Sequence, residues 1–197
     1  RYWPILEACQ HYDIPLAFHV PGMGRQPTGA GRQNFYAEMH AAFAVLPISM
    51  VPSLIFEGVF ERFPRLKIAL LELGWDWAVP YSWRLDATYD KLRDEVPHLT
   101  RRPSEYLREH FWFSSQPLEE PETGVTACKI AEVFEEAGFA DRFMYSAGHP
   151  HRDFDSPYES VPETFPLERR RRILGENASR LYGISLLSGH GIPAVGA

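Results

Sequence analysis

Four short apolar runs in this chain each end on residues able to bind a metal or move a proton. IPLAFHV, 14–20, carries His19 near its end, and LKIALLELG, 66–74, carries Glu72. HFWFSSQ, 110–116, closes on Ser114, Ser115 and Gln116, and RFMYSAG, 142–148, runs into Gly148, His149, Pro150 and His151. Imidazole and carboxylate both ligate divalent cations and both exchange protons near neutral pH. Histidine, carboxylate and histidine at successive run ends are therefore the inventory of a metal site or a general acid–base pair.

Each of these residues also has an ordinary role open to it. His19 reads either as a ligand or catalytic group, or as a histidine hydrogen-bonded inside the sheet. Glu72 sits between Leu71 and Leu73 and needs a partner, which is either a cation or metal, or an arginine such as Arg84. His149 and His151 straddle Pro150, whose ring fixes the turn, and one of the two, rather than both, is expected to face the site. Trp75 and Trp77 either stack on a planar substrate or pack in the core. The run Arg169–Arg172 reads as a solvated helix face.

The elements that must position these residues alternate. Residues 2–13 place Ile5, Leu6, Cys9 and Tyr12 at helical spacing. Helical stretches follow at 34–46, 53–62, 78–94, 103–110, 120–137 and 167–183, with Ser104 a candidate N-cap and Gly138 a helix-ending C′ residue. Runs 14–20, 66–74, 110–116 and 142–148 are apolar on both faces, as strands are in a parallel sheet covered by helices. Four strand–helix units predict an α/β fold with right-handed crossovers, either a small open sheet or half of an eight-unit barrel. In either, the chemistry belongs at the carboxyl ends of the strands. The Gly- and Pro-rich loop 21–33 is long enough to serve as a lid. Residues 1–184 read as one domain and 185–197 as a tail.

Composition excludes several classes. The chain is 45% hydrophobic and 14% aromatic with a net charge of −6, a folded composition with no basic stripe for nucleic acid or an anionic membrane. Cys9 and Cys128 read as two free thiols rather than a disulfide framework. No apolar run reaches the roughly 18 residues of a membrane span and no signal peptide is visible, so a cytoplasmic location is expected. The first residue is Arg1, which leaves a preceding segment open.

Several longer phrases, taken in order, carry a resemblance. SLIFEGVFERFPRLKIALLELGWDWAVPYSWRLD, 53–86, RRPSEYLREHFWFSSQPLEEPE, 101–122, MYSAGHPHRDFDSP, 144–157, and ILGENASRLYG, 173–183, resemble the amidohydrolase-2 family, the aminocarboxymuconate-semialdehyde decarboxylase-like branch of the amidohydrolase superfamily. The resemblance implies a TIM-type (β/α)8 barrel, of which this chain would be the C-terminal four strand–helix units. It also implies a divalent metal, zinc being the expected one, and metal-dependent hydrolysis or non-oxidative decarboxylation of a small cyclic or aromatic carboxylic acid.

Carried over residue by residue, the resemblance makes His19 a metal ligand. It places Glu72 where the family commonly has a sixth-strand histidine, as a catalytic group, with His149 or His151 near the substrate carboxylate. Trp75, Gln116 and Arg84 are the expected substrate-binding residues. Two family features are absent. No His-x-His pair precedes residue 149, and Gly148 stands where a pattern like Ser-x-Asp-Tyr-Pro-His has its aspartate ligand. Four strands cut from a closed sheet leave open edges, so a homo-oligomer or a separate N-terminal half-barrel chain is the expected partner. A degenerate barrel without metal chemistry, serving as a binding or subunit-interaction module, is the alternative that Gly148 favours.

Overall fold

The computed structural model describes residues 2–19, 34–42, 45–116, 127–150, 156–157, 161 and 165–185. The 21–33 loop, His151 and the 186–197 tail lie outside them.

Helix α1 (Trp3–His11) leads into strand β1 (Leu16–His19), and then come α2 (Tyr36–Ala41), α3 (Val45–Phe56) and α4 (Val59–Arg62). Strand β2 (Ile68–Leu71) is followed by α5 (Ala78–Leu92) and α6 (Pro103–His110), and β3 (Phe111–Ser114) by α7 (Ala127–Phe134). Strand β4 (Phe143–Met144) precedes α8 (Leu167–Arg171), which continues through a wide π-type turn, Arg172–Glu176, into α9 (Asn177–Tyr182). The strands form one parallel sheet in the order β1-β2-β3-β4. This is the expected α/β architecture, with each strand shorter than its apolar run because the run continues into the turn at its tip.

Register explains the two faces. Phe18, Leu70, Phe113 and Phe143 stand side by side across the sheet. With Ile68 and Phe111 they join the main core beneath the helices, where Phe134, Phe139 and Trp75 are almost fully buried. Burying one such ring contributes about 1.5–3 kcal/mol. The opposite face carries Ala17, His19, Ala69, Leu71, Trp112, Ser114 and Met144. Ala69, Trp112 and Met144 are covered there by Leu181 and Ala178 of α9, whereas Ala17 and His19 are exposed.

The two sheet edges differ. On β4 the outward-facing Phe143 carbonyl accepts from Asn177 Nδ2 at 2.8 Å, and the Tyr145 N–H donates to the Ile173 carbonyl at 2.8 Å. The wide turn at 172–176 leaves that carbonyl available to the strand. The C-terminal helix thus caps an edge that would otherwise present bare backbone groups. On β1 the burial alternates between half-buried and exposed, and the chain leading into it exposes Ile5 of α1 and, beyond the helix, Tyr12 and Ile14.

Two expectations are corrected. Helical spacing predicts separate helices over 34–46 and 53–62, whereas α3 runs through Pro47 and Pro52 to Phe56. Pro47 lies in the first turn, where no intrahelical bond is lost, and the break comes later, at Gly58. In addition, the stretch Tyr36–Phe56 is long and apolar enough, by length and composition alone, to cross a membrane. Val51 and Ile55 of α3 are nevertheless 0% and 1% exposed in the core, and α3 packs on α4 and α6 as an outer-layer helix.

Candidate active site at the strand tips

His19 is the last residue of β1 and pairs in register with Leu71, the last residue of β2. Successive strand residues point to opposite faces, so a Glu72 in regular extended backbone would face away from His19. Instead Glu72 adopts a left-handed conformation with φ +55°. Its carboxylate comes back to the mouth, with Oε2 3.1 Å from His19 Nε2. The Glu72 side chain is 15% exposed and that of His19 49%. A non-glycine residue held left-handed costs about 1–2 kcal/mol, the kind of strain that concentrates at working sites.

A serine holds that turn. The Glu72 N–H donates to Ser114 Oγ at 3.0 Å, and Ser114 Oγ donates in turn to the Gln116 carbonyl at 3.3 Å. Ser115 Oγ accepts from the Ser146 N–H at 3.0 Å and donates to the Ser146 carbonyl at 3.3 Å. The tips of β2, β3 and β4 are therefore stitched together by two buried hydroxyls, Ser114 at 1% and Ser115 at 0% exposure. The one sequence signal for this role is a Ser-Ser pair directly after the aromatic run of β3, where a buried hydroxyl must find a partner.

The remaining expected site residues separate. Gln116 is 2% exposed, with its carboxamide lying over Gly148. His149 is exposed on the turn beyond Gly148, and His151 lies outside the described residues. Trp75 is not on the mouth. It is 1% exposed on the helix side of the sheet, its ring centroid 5.1 Å from Phe134 and 4.6 Å from Phe143. There it forms one wall of a cleft of about 320 Å³ between α5 and α7. Trp77 closes the turn after β2 by donating Nε1 to the Leu73 and Gly74 carbonyls at 3.0 and 3.1 Å. Arg84 is exposed on α5, and the partner Glu72 takes is His19. A histidine across one strand spacing reaches the carboxylate directly, whereas Arg84 lies more than a turn into the outer helix.

The family profile of the amidohydrolases, amidohydrolase-2, matches residues 1–184. The chain belongs to the amidohydrolase family. Gamma-resorcylate decarboxylase from Polaromonas sp. (strain JS666) is 26% identical over 196 residues, covering 94% of this chain and 55% of the relative. The solved dihydroxybenzoic acid decarboxylase from Polaromonas sp. JS666, with bound manganese and the inhibitor 2-nitroresorcinol, matches with TM-score 0.68 at 23% identity, over 93% of this chain and 54% of that one. The 5-carboxyvanillate decarboxylase from Novosphingobium aromaticivorans, also with bound manganese, matches with TM-score 0.69 at 21% identity, over 92% and 52%. This amidohydrolase chain thus spans about half the length of the curated relatives it matches, and its four units have the fold of half a TIM barrel.

The described residues do not by themselves fit a metal. His19 and Glu72 are two donors, and among the described residues no three His, Cys, Asp or Glu side chains come together to hold an ion. The Gln116 amide lies where a side chain at residue 148 would project.

Proposed function

We propose that this amidohydrolase chain supplies the acid–base half of a decarboxylase site for a small hydroxylated aromatic carboxylic acid. The observation that carries the reading is the His19–Glu72 pair, 3.1 Å apart at the carboxyl ends of two parallel strands. Non-oxidative decarboxylation breaks the bond between ring carbon and carboxylate, releases CO2 and leaves the electron pair on the ring carbon. That carbon then needs a proton. Glu72 and His19, partly shielded at the mouth, are the groups placed to deliver it, and general acid catalysis of this kind contributes about 10²–10⁴-fold. The named activities of the relatives support decarboxylation over hydrolysis.

No step in this reading runs through a metal. A divalent cation such as the manganese of the two solved relatives would need donors beyond the described residues, and nothing favours zinc. The exposed Ala17 and His19 on β1 support completion of the site across that edge, by an N-terminal segment, a second chain or a second copy.

The test is CO2 release from gamma-resorcylate by the purified protein, with and without added Mn²⁺. The expected outcome is release that E72Q and H19A each reduce at least a hundredfold. A folded chain whose site is completed, by a preceding segment, a partner chain or a second copy, and that still releases no CO2 in either condition overturns the reading. A second reading, a barrel that has kept its fold as a binding or subunit module, is supported by Gly148. It predicts a tight partner complex and no turnover.

A further inference from the structure

A Cβ built on Gly148 would lie 2.3 Å from Gln116 Oε1, 2.4 Å from Nε2 and 2.6 Å from Cδ. Contacts under 3.0 Å are essentially never made by real Cβ atoms, so one of the two groups has to leave. The amide is the far end of a flexible side chain, yet at 2% exposure it has no open water to swing into. Gly148 is left-handed as well, with φ +65°, a conformation that glycine adopts freely. The backbone of Gln116 is held by Ser114 Oγ, the same hydroxyl that takes the Glu72 N–H. One serine therefore sets both the acid–base turn on β2 and the residue that covers the tip of β4.

We propose that Gln116 is a positioning residue that has taken over the fourth strand tip. Its neutral carboxamide fills the space from which a residue-148 carboxylate would project, and Gly148 is the residue that permits it. The mouth then takes a carboxylate-bearing substrate without a divalent cation ligated through β4. The proposal rests on reading this mouth as the amidohydrolase site. Exchanging a carboxylate for an amide removes one negative charge, which lowers the attraction for a divalent cation and relieves repulsion against an anionic substrate. This agrees with the absence of a three-donor cluster among the described residues.

The test is a double-mutant cycle on the full chain, with G148A, Q116A and the combination, read by urea unfolding. Left-handed strain at 148 is present in both backgrounds, so the cycle isolates the overlap with the amide. The expected result is that G148A raises the unfolding constant about tenfold more in the wild-type background than in the Q116A background. Equal effects in the two backgrounds overturn the interlock. If G148A is too unstable to purify, recovery of a folded chain on adding Q116A is the same positive result, and failure to recover it is the negative one. In a second arm Mn²⁺ is titrated and counted by electron paramagnetic resonance. Q116A/G148D is expected to bind it at least tenfold more tightly than wild type or Q116A, and unchanged binding overturns the assignment of this tip. Neither readout is catalytic, so failure of the decarboxylation assay and failure of this proposal are separately visible.

Discussion

His19 Nε2 lies 3.1 Å from Glu72 Oε2 because Glu72 leaves the extended conformation one residue after its strand ends. A single left-handed residue converts a carboxylate destined for the helix layer into one that faces its neighbour's imidazole. Backbone strain and the proposed chemistry therefore meet at one residue, and substitutions there should separate them.

Glu72→Gly removes the carboxylate and relaxes the backbone. Stability is expected to stay within about 1 kcal/mol of wild type, or to rise, as the left-handed cost is relieved. Decarboxylation should fall as far as with E72Q. Urea unfolding beside CO2 release checks both, and a strongly destabilised but active variant would contradict the assignment.

Ser114→Ala should cost about 1–3 kcal/mol, since it leaves the Glu72 N–H without its acceptor in a buried setting. The turn should loosen with it. Hydrogen exchange at the Glu72 amide is expected to speed up more than exchange at the core amides of β3.

Asn177 is fully buried and its amide donates to both the Ala140 and the Phe143 carbonyls. Asn177→Ala should lower stability by about 2 kcal/mol, roughly one per lost bond. Asn177→Asp should be worse, because a carboxylate oxygen would face two carbonyl oxygens. Faster exchange of the Tyr145 amide, which donates to Ile173 beside it, would report release of the β4 edge.

His110 is 1% exposed, stacks on Phe60 with ring centroids 4.3 Å apart, and its Nδ1 lies 2.9 Å from the Leu66 carbonyl. Burial pushes it below its ordinary 6.5, against the opposing pull of the Leu66 hydrogen bond and of Glu109. The folded state then binds fewer protons than the unfolded chain just below that pH. The stability His110 contributes is complete above about 6.5 and is lost as pH falls through its lowered value. Thermal midpoints should drop from pH 6.5 downward in wild type and drop less in His110→Gln.

Trp75→Ala should cost about 3–5 kcal/mol, the range for deleting a buried ring. Trp75→Phe should leave KM for the aromatic acid unchanged, because the ring packs on Phe134 and Phe143 rather than at the mouth. A selective rise in KM in the phenylalanine variant would restore Trp75 to the substrate wall.

Much was already legible in the chain. Doubly apolar runs separated by helical spacing dictate a parallel sheet, since only strands buried on both faces tolerate such runs and parallel strands need crossovers. The tips at His19, Glu72, Gln116 and Gly148 follow from where those runs meet polar residues, and the long phrases at 53–86 and 144–157 carry the amidohydrolase family. Tertiary structure alone decided which of these groups meet. Register set His19 beside Leu71, and one left-handed φ then brought Glu72 to it in place of Arg84. The Trp75 ring went to the core, where apolar neighbours outweigh a place at the mouth. Gln116 came to lie over Gly148, 32 positions along the chain, because β3 and β4 are neighbours in the sheet. Spacing along a sequence encodes which face a residue takes within its own element. Distances between elements depend on register and on single backbone torsions, to which spacing is blind.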